Sequence, residues 1–285
     1  MSKTYNDIYL DIRNQLREHG IETSSFDARQ IICFASGKSN AQFLKDMNFY
    51  ASQETEEAAT QMMIRRINGE PLAYVIGAWE FYGLPFFISK DVLIPRIDTE
   101  VLVDVASQLL ANNPEARILD LCCGSGCISC ALAHNHKNTK VVAVDISGSA
   151  LQICRKNVKL NGLNSRVICI QSDVKQTPPN GMGTFDLIVS NPPYIPTKEI
   201  ESLDRSVKDF EPFWALDGGE SGLDFYAAIL ERWISLLKSG GYLLFEVGEN
   251  QAEQVIDLIP KSEFKNITTH KDTIGVDRVV VAEKY

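Results

Sequence analysis

Ile8, Ile12 and Leu16 recur at four-residue spacing, which predicts an amphipathic helix that Gly20 stops. A second segment runs through Ala28, Ile31, Ile32 and Phe34, from a cap at Ser24 or Ser25 to Gly37. Asn40 offers a cap for a third segment, and Ser52 for a fourth that ends near Gly69. Four such segments in succession predict a small helical bundle over residues 1–70. The pattern then changes. Across 71–95, Tyr74-Val75-Ile76 and Phe86-Phe87-Ile88 flank Tyr82-Gly83-Leu84-Pro85, the arrangement of a β-hairpin linker between domains.

From Arg96 to the C-terminus, apolar runs alternate with helical periodicity. That alternation is the mark of an α/β fold, a mostly parallel sheet with helices on both faces. The runs place strands at Arg117–Leu121, Val141–Asp145, Val167–Gln171, Asp186–Ser190 and Tyr242–Val247. Ile267–His270 and Arg278–Ala282 form a closing edge hairpin, which makes seven strands. Helices are expected over Thr99–Ala111, Ile128–His134, Ser149–Leu160 and Leu223–Lys238. No repeat or low-complexity tract interrupts the domain at 96–285.

Composition narrows the function classes. The 285 residues are 45% hydrophobic and 23% charged, ordinary for a globular protein. No run reaches the ~18 apolar residues of a membrane span, and the first residues lack a leader's apolar stretch. A net charge of −9, with no Lys/Arg-rich stripe, argues against sequence-specific nucleic-acid binding. Seven irregularly spaced cysteines suit a reducing cytoplasm. His134 and His136 have no partner at metal spacing, and no metal is expected.

Two stations carry candidate chemistry. The first is Asn191-Pro192-Pro193-Tyr194, directly after the apolar run Phe185–Ser190. Consecutive prolines force the backbone out of the sheet, so Asn191 stands at a strand's carboxyl end, where open α/β sheets bind ligands. The Asn191 side-chain oxygen and the Pro192 carbonyl accept hydrogen bonds, and Tyr194 adds a flat face. Together they make a socket for a planar group bearing NH2, an amide or the exocyclic amine of a base.

The second station is Ile118–Gly126, a strand entering a turn with Gly124 and Gly126 that opens a helix. About twenty residues later a second strand ends in Asp145, whose carboxylate suits the hydroxyls of a ribose. A nicotinamide cofactor fits poorly, because Ser129 stands where a third glycine is usual and Asp120 would face a pyrophosphate. Asp120 beside a sulfonium is favourable instead, which points to S-adenosylmethionine. Cys123, Cys127 and Cys130 have the spacing of a radical-enzyme iron–sulfur cluster. The bland alternative is buried, apolar cysteines on a tightly packed turn.

These residues resemble the release factor glutamine methyltransferases, a family of Rossmann-like, class I S-adenosylmethionine-dependent methyltransferases. The resemblance extends over Gly69–Gly77, Glu80–Pro85, Val92–Arg96, Thr99-Glu100 and Phe185–Ile195. It continues through Glu211–Gly219, Phe245–Gln251 and Asp277–Val280, nearly everything from Gly69 onward. It implies a cytoplasmic, monomeric enzyme that methylates the N5 nitrogen of the Gly-Gly-Gln glutamine in peptide chain release factors. The helical domain is implied to help engage that partner. Cofactor contacts are implied at Cys122, Cys123, Gly124, Ser125, Gly126, Asp145, Asp173, Val174 and Asn191. Substrate contacts are implied at Asn191, Pro192, Pro193 and Tyr194, with Asn191, Pro192 and Tyr194 catalytic. Five residues at three places depart from the family pattern. Ile97-Asp98 replace Pro-Glu, Cys122-Cys123 replace glycine and a small residue, and Val174 replaces an aromatic, so that adenine meets an aliphatic contact.

On this reading Asn191 Oδ1 and the Pro192 carbonyl each take one amide N–H. The nitrogen lone pair is thereby turned toward the methyl donor, which is catalysis by orientation rather than by a strong base. Asp173 either accepts from the adenine amine or is a solvated turn residue. Arg96 and Glu246 either line the substrate entrance or pair structurally. Two other functions share these residues: an adenine-N6 or guanine-N2 nucleic-acid methyltransferase, and a release-factor- or ribosome-binding protein that keeps the fold but has lost turnover.

Overall fold

A computed structural model describes residues 2–285. The chain divides into two units: one runs to Gly77 and includes Arg205–Phe210, and the other comprises Ala78–Asp204 and Glu211–Tyr285.

The first unit contains α1 (Tyr5–Glu18), α2 (Ser24–Ser36), α3 (Asn40–Asp46), α4 (Gln53–Ile67) and α5 (Leu72–Ile76). Ile8, Ile12 and Leu16 are buried along α1, as their spacing requires. Thr4 caps that helix in a reciprocal box with Asp7, and Ser52 caps α4 through the Thr55 N–H. The cap of α3 is Ser39, not Asn40, and α2 starts without a side-chain cap. Phe34, expected to face inward, is half exposed. Between α2 and α4, buried Asp27 accepts from the Arg66 guanidinium at 2.7 Å.

Tyr74-Val75-Ile76 are helical in α5, not the first arm of a hairpin. A three-residue apolar run has no period of its own, and its flanks decide its fate. Pro71 precedes the turn, Gly77 closes it in a left-handed conformation, and Arg65 caps the Tyr74 and Val75 carbonyls at 2.9 and 3.0 Å.

In the second unit, β1 (Ala78–Phe81) and β2 (Leu84–Phe87) form an antiparallel hairpin. Tyr82 and Gly83 at its tip both have positive φ, 52° and 71°, as a twisted two-residue turn demands. The hairpin groups with this unit rather than standing apart as a linker. It is tied down by Asn157, a fully buried side chain. Asn157 Oδ1 accepts from Phe87 N–H at 2.7 Å, and Nδ2 donates to the carbonyls of Phe87 and Ser125 at 3.1 and 2.9 Å. Asn157→Ala strands these buried groups and is expected to destabilise the unit by about 3 kcal/mol. Urea unfolding measures it, and a loss below about 1 kcal/mol would contradict the tie.

The remaining elements alternate. They are α6 (Glu100–Leu110), β3 (Arg117–Leu121), α7 (Cys127–Asn135), β4 (Lys140–Asp145), α8 (Gly148–Leu160), β5 (Val167–Gln171) and β6 (Phe185–Ser190). There follow α9 (Arg205–Lys208, within the first unit), α10 (Asp224–Arg232), β7 (Leu237–Glu246), α11 (Ala252–Leu258), β8 (Phe264–Lys271) and β9 (Asp277–Lys284). The expected helix over Leu223–Lys238 stops at Arg232, and β7 takes over at Leu237, running through Ser239-Gly240-Gly241. Two glycines do not sustain a helix. At Gly241 a Cβ would also lie 2.9 Å from the Asp186 carbonyl of the neighbouring strand.

The seven-stranded sheet has the order β5-β4-β3-β6-β7-β9-β8. β9 runs antiparallel to both of its neighbours, and the other pairs are parallel. Leu119, Leu121, Ile188, Leu243 and Phe245 pack with Tyr226, Trp233 and Val255 in one core cluster. The alternate residues Ile118, Leu187, Val189 and Leu244 are equally buried. Since side chains alternate across a strand, both faces of the sheet are covered. Strand order reverses between β3 and β6, which places a crevice beyond their carboxyl ends. No helix among the described residues is long and apolar enough to cross a membrane.

Candidate active site

Register aligns the chemistry before any side chain is considered. Leu121 of β3 pairs with Val144 of β4 and with Ser190 of β6, and Ser190 pairs with Phe245 of β7. The next residue on each strand is therefore Cys122, Asp145, Asn191 and Glu246, four neighbours along one edge of the sheet. Ser190 pins the centre of this row by donating its hydroxyl to the Leu121 carbonyl at 2.7 Å.

A cavity of about 290 Å³ opens there. Cys122, Cys123, Gly124, Ser125, Asp145, Asp173, Val174, Asn191 and Pro193 all line it. Gly126, Pro192 and Tyr194 do not. Gly126 instead lets the loop close on α8, since a Cβ there would meet Cys154 Sγ at 2.5 Å. The Tyr194 carbonyl accepts from Gln251 Nε2 at 2.8 Å, and its ring lies against Gly248. Burial, with the nearby Glu246 charge, holds the Tyr194 hydroxyl above its usual range, so it remains a neutral phenol.

Asp145 shapes the loop. Its Oδ2 accepts from Gly124 N–H at 2.8 Å and its Oδ1 from Ser147 N–H at 2.9 Å. A carboxylate has about four lone-pair positions, so capacity remains for hydroxyl donors. Burial raises its pKa, while backbone N–H groups of Ser147, Gly124 and Ile146 pull it back. Gly124, at φ 51°, has no atom within 4 Å of where a Cβ would be, which leaves a bare backbone face for a ligand. Cys122 adopts φ 60°, a conformation suited to glycine and strained by about 1 kcal/mol in other residues.

Beyond this geometry stand the known proteins that the chain resembles. A family model described as "Methyltransferase small domain" matches residues 98–206, and "PrmC N-terminal domain" matches 7–77. The release factor glutamine methyltransferase of Clostridium botulinum is 36% identical, covering 98% of this chain and 99% of the relative. That of Geobacter sulfurreducens is 38% identical over 94% and 92%. The chain belongs to the release factor glutamine methyltransferase family. The fold is shared more widely. The hMettl16 catalytic domain, solved with an RNA hairpin, superposes with a TM-score of 0.59 at 14% identity, covering 80% of this chain and 79% of that one.

The electrostatics of this methyltransferase's cavity suit a cationic cofactor without phosphates. Asp91, Asp145 and Asp173 line it, against Arg96 and Lys175. Both cations are engaged, Arg96 with Glu211 and Lys175 with Asp224. The N–H groups that a pyrophosphate needs are also taken, Gly124 by Asp145 and Ser129 by Asp120.

Asp120, in contrast to its expected place beside the cofactor's sulfonium, is bonded to Ser129. It does not line the cavity, because strand alternation turns it toward α7. There Oδ2 accepts from the Ser129 N–H and hydroxyl at 3.1 and 2.6 Å, and Oδ1 has no partner. Its value as a counter-charge to a sulfonium therefore lapses. Burial raises its pKa from 3.8 to about 7, against the pull of Ser129. Below about pH 4 both folded and unfolded chains hold the proton. As pH rises to about 7 the unfolded chain ionises first, so stability falls, by about 4 kcal/mol in all. Asp120→Asn is expected to remove that loss, its Tm advantage growing from about pH 4 to about pH 8. A difference independent of pH would contradict the shift.

Cys130 is fully buried on α7, whereas Cys127, although buried, also borders the cavity. Burial pushes the Cys127 thiol up to about 12 and the Cys130 thiol upward too, and both are buried. Cluster ligation uses thiolates. Among the described residues no group of three or more His, Cys, Asp or Glu is arranged to hold a metal ion.

Several lining residues escaped the sequence reading. Thr99 lies beside Asn191, which donates from Nδ2 to Thr99 Oγ1 at 3.3 Å. Trp214 and Phe225 also line the cavity, and Trp214 is half exposed. The adjacent aromatics Phe213-Trp214 in a loop were the available signal for the former. Arg96 lines the cavity and also pairs with buried Glu211.

Proposed function

We propose that this enzyme transfers a methyl group from S-adenosylmethionine to the N5 amide nitrogen of the Gly-Gly-Gln glutamine of peptide chain release factors. The observation that carries the reading is the place of Asn191, directly after the β6 strand end and on the wall of the cavity. Its Nδ2 is engaged by Thr99, which leaves Oδ1 free to accept from a substrate carboxamide. A half-buried strand-end acceptor next to a cofactor-sized cavity suits an NH2 group, whose two hydrogens it can share with the Pro192 carbonyl.

The cofactor, when bound, supplies an electrophilic methyl. Cys122, Cys123, Gly124, Ser125 and Gly126 form the loop that receives it, Asp145 takes its ribose hydroxyls, and Asp173 and Val174 border its adenine. Asn191 Oδ1 and the Pro192 carbonyl each accept one glutamine N–H, with Pro193 and Tyr194 bounding the side chain. An amide lone pair is delocalised into its carbonyl, so holding both hydrogens in place is what exposes the nitrogen. Such orientation is worth about 7 kcal/mol or more of barrier. The nitrogen's surplus proton leaves to solvent once methylated, so no strong base is required. The helical first unit engages the release factor.

The test offers the purified enzyme and labelled cofactor either a release factor or an RNA pool. Label in the release factor alone, lost when its Gly-Gly-Gln glutamine is changed, is the expected result. Label in RNA alone would overturn the reading.

A further inference from the structure

Asn191 poses a problem that its own residue type does not solve. The two ends of a carboxamide are nearly the same size, so either Oδ1 or Nδ2 can face the substrate. Only one orientation accepts an N–H from glutamine. Thr99 does not decide between them, because a hydroxyl donates or accepts equally well. A group that can only accept is needed behind it.

Glu246 in its ionised form is that group. It follows Phe245, which pairs with Ser190, so Glu246 and Asn191 leave adjacent parallel strands side by side. The Glu246 side chain is 1% exposed. Burial raises its pKa from 4.5 to about 7, against the pull of hydrogen bonds from Thr99 and Asn191 and of the Arg278 charge. The cation nearby does not neutralise it by contact. Arg278 is bonded to Asp272 at 3.0 Å and lies 3.7 Å from Asp98. Oε2 of Glu246 has no partner at all. A purely structural position would be better served by glutamine, which avoids burying a poorly compensated carboxylate.

We propose that Glu246 is the positioning residue of the reaction, setting the polarity of the Asn191 carboxamide through direct contact and through Thr99. Glu246 accepts the Thr99 hydroxyl hydrogen, which turns the Thr99 lone pairs to Asn191 Nδ2. Oδ1 is then committed to the substrate side. This rests on the glutamine-methylation reading above and adds to it the device that keeps the acceptor facing outward.

The consequence is specific. With an amide in place of the carboxylate, the chain of donors can run in either direction, and part of the population presents NH2 to NH2. Glu246→Gln is expected to lower kcat roughly 10–100-fold, the range typical of orienting partners. KM for the release factor and cofactor affinity stay within about threefold, since the cavity wall is unchanged.

A double substitution separates this role from a packing defect. Asn191→Asp alone places two carboxylates side by side, which repel or take up a proton. Combined with Glu246→Gln, the pair is restored with its polarity reversed: the introduced amide donates, and the introduced carboxylate keeps an oxygen for the substrate. The experiment measures kcat, KM and cofactor affinity for wild type, E246Q, N191D and N191D/E246Q on a release factor. The expected result is a double variant roughly tenfold or more faster than N191D. Wild-type kcat in E246Q, or a double variant no faster than N191D, would overturn the positioning role. A wild-type enzyme inactive on release factors would instead overturn the glutamine reading, and this inference with it.

Discussion

Replacing Asn191 by alanine is expected to lower kcat on a release factor by roughly 10²–10³-fold, the scale seen when one preorganised hydrogen-bonding group is lost from a reacting centre. Cofactor affinity is expected to change by no more than about threefold, because Asn191 is one of many groups on the cavity wall and Asp145 stands across it. The asymmetry follows from the strand register. Asn191 emerges between Cys122 and Glu246, and its side chain is held from behind by Thr99 at 3.3 Å. Alanine removes the acceptor and leaves the backbone turn to Pro192-Pro193 in place. Single-turnover kinetics with saturating cofactor measure the effect, and equal loss in both constants would argue against an orienting role.

Asp145→Ala is expected to produce the reverse pattern. Two hydroxyl bonds to an ionised acceptor, each worth about 1.5–3 kcal/mol, predict cofactor binding weaker by roughly 10²-fold or more. The substitution also frees the Gly124 and Ser147 N–H groups, which now hold the glycine loop and the start of α8. Turnover at saturating cofactor is expected to survive within about tenfold, since no reacting atom has lost its partner. Titration calorimetry decides the matter, and an unchanged affinity would undo the assignment of Asp145.

Much of this architecture is legible in the chain because its signals are local. The strands Arg117–Leu121 and Val167–Gln171 appear with the limits their apolar runs predict. Helix α1 buries the three residues whose spacing announced it. The failures share a cause as well. Tyr74–Ile76 and Leu237-Lys238 are short segments whose fate is set by flanking residues and by a neighbouring strand, not by their own periodicity. Asp120 lies within the stretch that marks the cofactor loop in sequence, whereas alternation along β3 turns its side chain to Ser129.

The site divides in the same way. Asp145 and Asn191 are conspicuous because an acid after one strand and an Asn-Pro-Pro-Tyr after another mark strand ends directly. Thr99 and Glu246 carry no such mark. Thr99 is 92 positions from Asn191 in the chain, and only the fold brings the turn before α6 beside the residue that follows β6. Glu246 is one more acid at the end of a strand until the register of β6 and β7 sets it beside Asn191. Tyr194, in contrast, is prominent in sequence but contributes no wall to the cavity.

The most direct test of the whole account is a crystal structure with a demethylated cofactor and a Gly-Gly-Gln peptide bound together. A glutamine carboxamide donating one N–H to Asn191 Oδ1 and the other to the Pro192 carbonyl, its nitrogen turned to the cofactor sulfur, is the predicted result. Glutamine bound elsewhere, or water on both oxygens, would contradict it.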